Sequence, residues 1–403
     1  MRRRQVLAAA AALASAMRPS RAQAGELRVG ALYPFSGPQA LLGDEGFRGL
    51  ELAVDERNGA GGVGGGRLRV VRADAADPAA AAAEARRLIA TERVQAVFGT
   101  HASSLSLAAT QVAEQAGIPY FELGAIADAL IERGYRSVFR SAPSARSYGE
   151  VAIGAVGAIA RRLGVNEQLI RVAVLREEGV LGTAVSSAQK ARAAELGLTV
   201  VEDLSYSMRA VDLTAAVQRL RDAQAEVVLH TGYQNDIVLF YRAMRQAGWK
   251  PVAVIGSGEG YALTETQKAI GPDFQNTMTV DVTPLAVNER IAPGVKAFAE
   301  AYMRRYGHAP RSGHSLSNFV GARVFLDALA RAGGADRDRV RAAILALDVP
   351  EHATPNGWGA KFDEAGQNTR ARPFLLQWQG EQLVTVLPSE AAVAELRIGL
   401  GGS

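Results

Sequence analysis

Apolar and polar positions follow two alternating patterns along most of this chain. Short apolar runs, typical of buried strands, precede longer stretches in which apolar side chains recur every third or fourth position, as in amphipathic helices. The pattern predicts strands at 27–32, 67–72, 94–98, 118–121, 172–175, 199–202, 227–230 and 252–255. It predicts helices at 45–58, 78–90, 103–116, 148–162, 184–196, 213–221, 237–247, 294–306, 314–332 and 338–347.

The regular alternation of strands and helices predicts an α/β fold whose parallel sheets carry helices on both faces. The alternation begins again after Ala142-Pro143, which indicates a second α/β unit of similar size. No low-complexity linker separates the two units, so we expect two lobes that share crossings of the chain rather than two independent domains. The tail at 358–386 predicts further strands, with turns at 363–366 and 379–380.

The first 24 residues do not follow this alternation and have the pattern of a secretory signal. Three arginines precede an apolar run at 6–17, and Ala22-Gln23-Ala24 matches a cleavage site with small residues. The run is shorter than the roughly 20 residues that a membrane-spanning helix needs. Arg3-Arg4-Gln5-Val6-Leu7 resembles a twin-arginine export signal, and an ordinary signal with a basic start is the alternative. We expect a mature protein that begins near Gly25 and is soluble in the periplasm.

Removal of that segment changes the charge of the protein. The full chain has a formal net charge of +4, and the segment 1–24 contributes five arginines and no acidic residue. The remaining net charge of −1 gives no reason to expect bulk binding to nucleic acid or anionic lipid. The chain contains no cysteine, so disulfide bonds and cysteine-ligated metal sites are excluded.

The loop His101-Ala102-Ser103 is the strongest local candidate for a binding site. It follows the predicted strand at 94–98 and begins the predicted helix at 103–116, where unpaired backbone N–H groups favour a carboxylate. In open α/β sheets, ligands bind at the carboxyl ends of the strands. The alternative is that Ser103 or Ser104 only caps the helix.

Three further positions follow predicted strands and carry side chains that a ligand could use. Glu259 stands among the glycines of 256–260 and could meet an ammonium group, or could be an exposed acid on a turn. Tyr233 could form the floor of a pocket or could pack under its own loop. Glu122 could bind an amine or a hydroxyl, or could be a solvated strand end.

Enzyme motifs do not emerge from the sequence. The segment 59–64 has the spacing of a dinucleotide-binding fingerprint, but it ends a predicted helix instead of opening one. There is no GxSxG, Walker A, HExxH or EF-hand pattern, and the five histidines are scattered. We therefore expect no catalytic residue, no cofactor and no metal.

Several short motifs, taken in order, resemble the Leu/Ile/Val-binding branch of the type I periplasmic binding proteins. The resemblance covers essentially the whole chain after residue 24. The motifs include Tyr33-Pro34-Phe35-Ser36-Gly37-Pro38, Asn58-Gly59-Ala60-Gly61-Gly62-Val63, the loop 99–104, Gly117-Ile118-Pro119, Arg133-Gly134-Tyr135, the glycines of 256–260 and Lys361-Phe362-Asp363-Glu364-Ala365-Gly366.

This resemblance implies two Rossmann-like lobes joined by three hinge crossings, with a small molecule bound between them. Lobe I would comprise 25–142 and 283–372, and lobe II would comprise 143–282 and 373–403. The implied partner is the permease of an ATP-driven importer in the inner membrane. We expect a monomer that delivers its ligand to that importer and does not act as an enzyme.

The resemblance also implies roles for individual residues. The loop His101-Ala102-Ser103 would hold the carboxylate of the ligand, and Gly124-Ala125-Ile126 would add contacts from the same lobe. Tyr233 and Glu259 would come from the other lobe, with Glu259 at the α-amino group. Leu181 would lie on the wall of the same site.

Several positions depart from the usual pattern of the family. Ile126 stands where a hydroxyl is usual, Leu181 and Leu42 stand where aromatic residues are usual, and Glu122 replaces a small or hydroxyl residue. The ligand therefore need not be a plain branched-chain amino acid, although the resemblance implies a small carboxylate-bearing solute such as a branched-chain or related amino acid. Aromatic acids, amides and urea-like compounds stay open as alternatives, as does a role as ligand sensor for a signalling partner.

Overall fold

The computed structural model describes residues 25–401, so the predicted export signal lies outside the described residues. Within this range the chain forms two lobes, each built on its own sheet. None of the helices in 25–401 combines the length and the apolar character that a membrane span requires.

Lobe I contains a five-stranded, fully parallel sheet with the order β2-β1-β3-β4-β5. Its strands are β1 (Leu27–Tyr33), β2 (Leu68–Asp74), β3 (Ala96–Gly99), β4 (Tyr120–Glu122) and β5 (Val138–Arg140). Its helices are α1 (Ala40–Gly59), α2 (Pro78–Ala90), α3 (Ser103–Ala116), α9 (Val295–Tyr306), α10 (His314–Ala332) and α11 (Arg337–Leu345).

Lobe II contains a seven-stranded sheet with the order β12-β11-β10-β9-β8-β6-β7. Its strands are β6 (Val172–Glu177), β7 (Val200–Tyr206), β8 (Val227–Thr231), β9 (Ala253–Ser257), β10 (Met278–Asp281), β11 (Phe374–Gln379) and β12 (Gln382–Leu387). Its helices are α4 (Ala145–Leu163), α5 (Val180–Glu195), α6 (Thr214–Asp222), α7 (Gln234–Gln246) and α8 (Thr264–Ile270).

The prediction of α/β lobes is confirmed, but the second sheet is mixed and not parallel throughout. Strand β11 runs antiparallel to both β10 and β12. Strand β10 is not among the strands predicted from the sequence. Most of 358–373 forms turns and isolated bridges, whereas the sequence predicts strands there. This segment returns to lobe I, where Gln367 pairs with Arg140, before the chain enters β11.

The inner strands of each sheet are buried on both faces, and their alternate side chains enter different cores. In β1, Val29 and Ala31 join the core beneath α1 and α10, whereas Leu32 joins the core beneath α2 and α3. Helices α1 and α10 pack closely because Gly49 leaves room for the backbone of Ser315, and a Cβ at position 49 would collide with it. This packing fixes α10, whose first turn faces the other lobe.

The chain passes between the lobes three times. The first crossing leads from β5 to α4, and the second leads from β10 to α9. The third leads to β11 from the turns that precede it, which pair with β5 in lobe I. These crossings place the carboxyl ends of β3 and β4 opposite the carboxyl ends of β8 and β9. Strand β10 ends at Asp281, directly at one of the crossings.

Candidate functional site

A cavity lies between the two lobes, at the ends of strands from both sheets. Its volume is about 10 Å³, which leaves room for roughly one water-sized group in this closed arrangement. The lining residues from lobe I are His101, Ala102, Ser103, Gly124 and Ile126, and those from lobe II are Tyr148, Leu181, Tyr233, Gly258 and Glu259.

The lining set includes eight of the ten residues that the sequence analysis nominated. Ala125 is buried beside the cavity, and Glu122 is buried beneath it, so neither belongs to the lining. Tyr148, from α4, lines the cavity although the sequence analysis did not nominate it. Its position follows the Ala142-Pro143 break, and nothing in its local sequence distinguishes it from a core tyrosine.

Glu122 organises the loops of lobe I from below. Its side chain is completely buried, and its carboxylate accepts hydrogen bonds from two loops that line the cavity and from α3. It accepts the backbone N–H groups of Thr100, His101, Gly124 and Ala125 at 3.0, 3.2, 2.9 and 2.8 Å, and the hydroxyl of Ser106 at 2.5 Å. Burial raises the pKa of Glu122, and the donors oppose that rise. We therefore propose that Glu122 positions the loops, in place of the direct ligand contact expected from sequence.

The start of α3 presents donors to the cavity. Ala102 occupies the position before the helix, and no side chain caps it, so the alternative that Ser103 or Ser104 caps α3 does not apply. Ser103 accepts the backbone N–H of Ala127 at 3.3 Å, which leaves its own hydroxyl proton available. A carboxylate at this point would meet the first N–H groups of α3 and the positive end of its dipole.

His101 brings an imidazole into the centre of the cavity. Its backbone has a φ of 84°, which is unusual for a residue with a side chain. The ring lies against Gly124, where a Cβ would collide with it. Its Nε2 lies 2.6 Å from the Glu259 carboxylate of lobe II. That contact lacks hydrogen-bond alignment, and neither ring nitrogen has a hydrogen-bond partner within residues 25–401.

The lobe II side of the cavity is built by loops after β8 and β9. Gly258, at a φ of 103°, turns the chain so that Glu259 begins a short 3-10 turn facing lobe I. Tyr233 precedes α7, and its backbone N–H donates to Asp236 at 3.0 Å. Burial raises the pKa of Tyr233, so its phenol stays protonated and can donate a hydrogen bond.

A second histidine lies directly behind His101. His314 begins α10, and its ring meets that of His101 edge to face, with centroids 5.0 Å apart. Its Nε2 lies 3.1 Å from Asp281, which also accepts the hydroxyl of Tyr148 at 3.3 Å. Burial lowers the pKa of His314 and the Asp281 carboxylate raises it, with a net rise to about 9. Asp281 and His314 carry no recognisable signal in the sequence, because they meet only where the lobes join.

Two of the larger grooves lie away from this cavity. One of about 750 Å³ runs between the segment 127–132 and α5, and one of about 520 Å³ lies near Trp358 and Pro388. Neither contains the loops at the carboxyl ends of β3, β8 and β9. The convergence of those loops, and not the volume, identifies the candidate site.

Comparisons with known proteins give one consistent result. A family model described as "Periplasmic binding protein" matches residues 26–382. The chain is 44% identical over 400 residues to Leu/Ile/Val-binding protein homolog 7 of Brucella suis biovar 1, a match that covers 99% of this chain and 100% of that relative.

Solved structures support the same fold. A leucine-binding protein from Thermotoga maritima matches with a TM-score of 0.78 at 22% identity, covering 89% of this chain and 97% of that one. A solute-binding protein of an ABC transporter from R. palustris, in complex with 4-hydroxybenzoate, matches with a TM-score of 0.78 at 20% identity, covering 93% and 97%. At these identities the structural matches establish the fold alone.

Proposed function

Because the chain belongs to the periplasmic binding protein family, we propose that it is the substrate-binding protein of an ABC importer in the periplasm. Its ligand is a small carboxylate-bearing solute, with a branched-chain or related amino acid as the first candidate. The name of the Brucella suis relative supports this ligand class. The partners are the permease subunits of the importer, and the protein acts as a monomer that binds neither nucleic acid nor a catalytic cofactor.

The proposal rests on one observation: an anion-binding helix start in lobe I faces a carboxylate in lobe II across the cavity. The first N–H groups of α3 and the hydroxyl of Ser103 suit the carboxylate of an amino acid. Glu259 lines the opposite side and suits the ammonium group. The start of α3 and Glu259 together fix the orientation of an amino acid, because no other acidic side chain lines the cavity within residues 25–401.

The side chain of the ligand would meet apolar walls. Ile126 and Leu181 line the cavity, and Tyr148 and Tyr233 add aromatic surface. Ile126 cannot donate a hydrogen bond, so the carboxylate depends on the donors of α3 and Ser103 more strongly than a hydroxyl at this position would require. Apolar and aromatic walls suit leucine, isoleucine or valine, and they also suit an aromatic ring.

We propose that binding closes the lobes about the three crossings, with boundaries near residues 142/143, 282/283 and 372/373. The cavity of about 10 Å³ is too small to hold an amino acid, so the lobes must stand farther apart than they do here to admit and bind one. A ligand that contacts both lobes binds the closed form better than the open form, so it shifts the population toward closure. The importer would then recognise the closed form.

An aromatic acid is the second candidate ligand. The R. palustris structure holds 4-hydroxybenzoate on the same fold, and the apolar lining of this cavity would accept a ring. Such a ligand keeps the carboxylate but lacks the ammonium group. Glu259 would then have no cation to meet, and its contact with His101 would persist in the bound form.

Isothermal titration calorimetry of residues 25–403 distinguishes these ligands. Leucine, isoleucine, valine and 4-hydroxybenzoate are titrated into wild-type protein, Glu259→Gln and the control Glu381→Gln, which changes an exposed acid. For an amino acid ligand we expect Glu259→Gln to weaken binding at least tenfold, about 1.4 kcal/mol, while the control binds normally. If only 4-hydroxybenzoate binds, and Glu259→Gln does not weaken its binding, the ligand is an aromatic acid and not an amino acid. No heat with any of them would contradict the proposed ligand class.

A further inference from the structure

Three metal-ligating side chains meet at the centre of the molecule. His101, Glu259 and His314 each offer one ligand atom, and these atoms lie within 4.8 Å of one another. Two come from lobe I and one from lobe II. The sequence predicted no metal here, because these residues are far apart along the chain and only the closed lobes bring them together.

The two histidines have ring nitrogens that are available to a further partner. Both ring nitrogens of His101 and the Nδ1 of His314 are buried without a hydrogen-bond partner within residues 25–401. Buried polar atoms without partners are costly and uncommon in folded proteins. His101 Nε2 lies 2.6 Å from Glu259 without hydrogen-bond alignment, so these two atoms would have to move apart to share a tetrahedral ion, whose ligand atoms lie roughly 3.3 Å apart.

The surroundings of His314 fit the role of a ligand. Asp281 holds the Nε2 side of the ring at 3.1 Å, and Tyr148 donates to the same carboxylate. Histidines that bind metals commonly donate their other ring nitrogen to a carboxylate, which fixes the ring and the tautomer. This arrangement leaves Nδ1 as the ligand atom.

We propose that His101, His314 and Glu259 form a binding site for one divalent transition-metal ion, of the class that includes Zn²⁺ and Co²⁺. Two imidazoles and one carboxylate are a common ligand set for such ions. Ligand atoms around a tetrahedral ion with bonds of 2.0–2.1 Å lie roughly 3.3 Å apart, so a small adjustment of the three side chains suffices. The cavity of about 10 Å³ also matches an ion better than an organic molecule.

The site joins the two lobes, so the ion would hold them closed. It would also occupy Glu259, the residue that we assign to the ammonium group of an amino acid. Metal and amino acid should therefore compete for the protein. The metal site itself does not rest on the proposed transport function, because its ligands are defined by their mutual positions.

Calorimetry with ZnCl₂ tests the site in residues 25–403, prepared without a polyhistidine tag and stripped with a chelator. We expect one ion per chain, and Co²⁺ should give the visible absorption of a tetrahedral site. His314→Gln and His101→Gln should each weaken Zn²⁺ binding at least tenfold. His352→Gln removes an exposed histidine and should leave binding unchanged.

Absence of Zn²⁺ binding by wild-type protein would overturn the proposal, as would unchanged binding in both His101→Gln and His314→Gln. Loss of binding in His352→Gln would place the ion on the surface and overturn it too. Circular dichroism of each variant confirms folding, and the two histidine variants test the site independently. The amino acid titrations are run on the same samples, so failure of the transport proposal and failure of the metal site give separate results.

Discussion

The carboxylate of Glu122 and the hydroxyl of Ser106 lie 2.5 Å apart, and both side chains are completely buried beneath the cavity. Through this pair, α3 is tied to the loops that follow β3 and β4. The same carboxylate accepts four backbone N–H groups, so one acid satisfies donors from both loops. The geometry of the lobe I wall therefore depends on a residue that does not line the cavity.

Glu122→Ala should lower both stability and ligand affinity. The change leaves four backbone N–H groups and the Ser106 hydroxyl without their acceptor in a buried region. We expect a loss of about 3 kcal/mol in the free energy of unfolding, measured by urea denaturation, since each unsatisfied buried group costs about 1–3 kcal/mol and the loops can partly relax. Glu132→Ala, an exposed acid nearby, is the control and should change stability by less than about 0.5 kcal/mol. Equal stability of the two variants would contradict the positioning role.

Gly124→Ala should reduce ligand affinity by displacing His101. A Cβ at this position would collide with the imidazole, which cannot move far because it is buried between Glu259 and His314. Calorimetry with the best ligand should show at least a tenfold loss. The matched control is Gly154→Ala in α4, where a Cβ meets nothing within 4 Å. There we expect a gain of about 0.5–1 kcal/mol in stability, because alanine favours the helix, with affinity unchanged. Similar affinity in both variants would show that the ring position is unimportant.

Arg140→Met should destabilise lobe I more than the same substitution at an exposed arginine does. The guanidinium is buried, and it donates to Gln367 at 2.6 Å and to the carbonyl of Ala127 at 2.8 Å. Methionine keeps the length of the side chain but leaves these acceptors unpaired, so we expect a loss of about 3 kcal/mol by urea denaturation. The control is Arg136→Met, on the surface. A cost within about 0.5 kcal/mol of the control would exclude a structural role for this network.

His230 should make the protein sensitive to acid. Its ring is buried between the hydroxyls of Tyr206 and Tyr261, at 2.9 and 2.5 Å, and burial lowers its pKa from 6.5 to about 3. Below pH 6.5 His230 becomes protonated in the unfolded chain, whereas in the folded protein it stays neutral until the pH approaches about 3. The stabilising contribution is therefore complete above 6.5 and is lost progressively as the pH falls toward about 3.

Urea denaturation at pH 7 and pH 5 measures this effect. The wild type should lose about 2 kcal/mol more than His230→Gln over that interval, from 1.36 kcal/mol per pKa unit. Other groups titrate in both proteins, so the comparison isolates His230. Parallel pH profiles for the two proteins would mean that His230 titrates in the folded protein as it does in the unfolded chain, which would contradict the lowered pKa.

Local signals explain why much of the architecture could be predicted from the sequence. Helix α3 was predicted with its observed limits because Gly117 ends it with a φ of 68° and small residues open it. Glu259 and Tyr233 were predicted as ligand contacts because they follow strands, and both line the cavity since strand ends converge in an α/β fold. Strand β10 was missed because it is only four residues long and lacks a following helix close in sequence.

The remaining parts of the site depend on contacts between distant segments. Asp281 and His314 meet at a crossing of the chain, and nothing near either residue in sequence indicates the other. Glu122 was nominated for the ligand because it follows a strand. Its burial depends on which way the side chain points, and that direction is set by donors more than 15 residues away as well as by its neighbours.

The small volume of the interlobe cavity has a kinetic consequence. Walls from both lobes leave about 10 Å³ between them, which is too little for an amino acid, so a solute that contacts both lobes can enter or leave only when they separate. Dissociation must then wait for the lobes to separate, and the opening rate sets an upper limit on the off-rate of every ligand. Solutes of different affinity would share the same upper limit, which is the opening rate of the protein without ligand. Their off-rates would differ because each solute slows the opening step by a different amount.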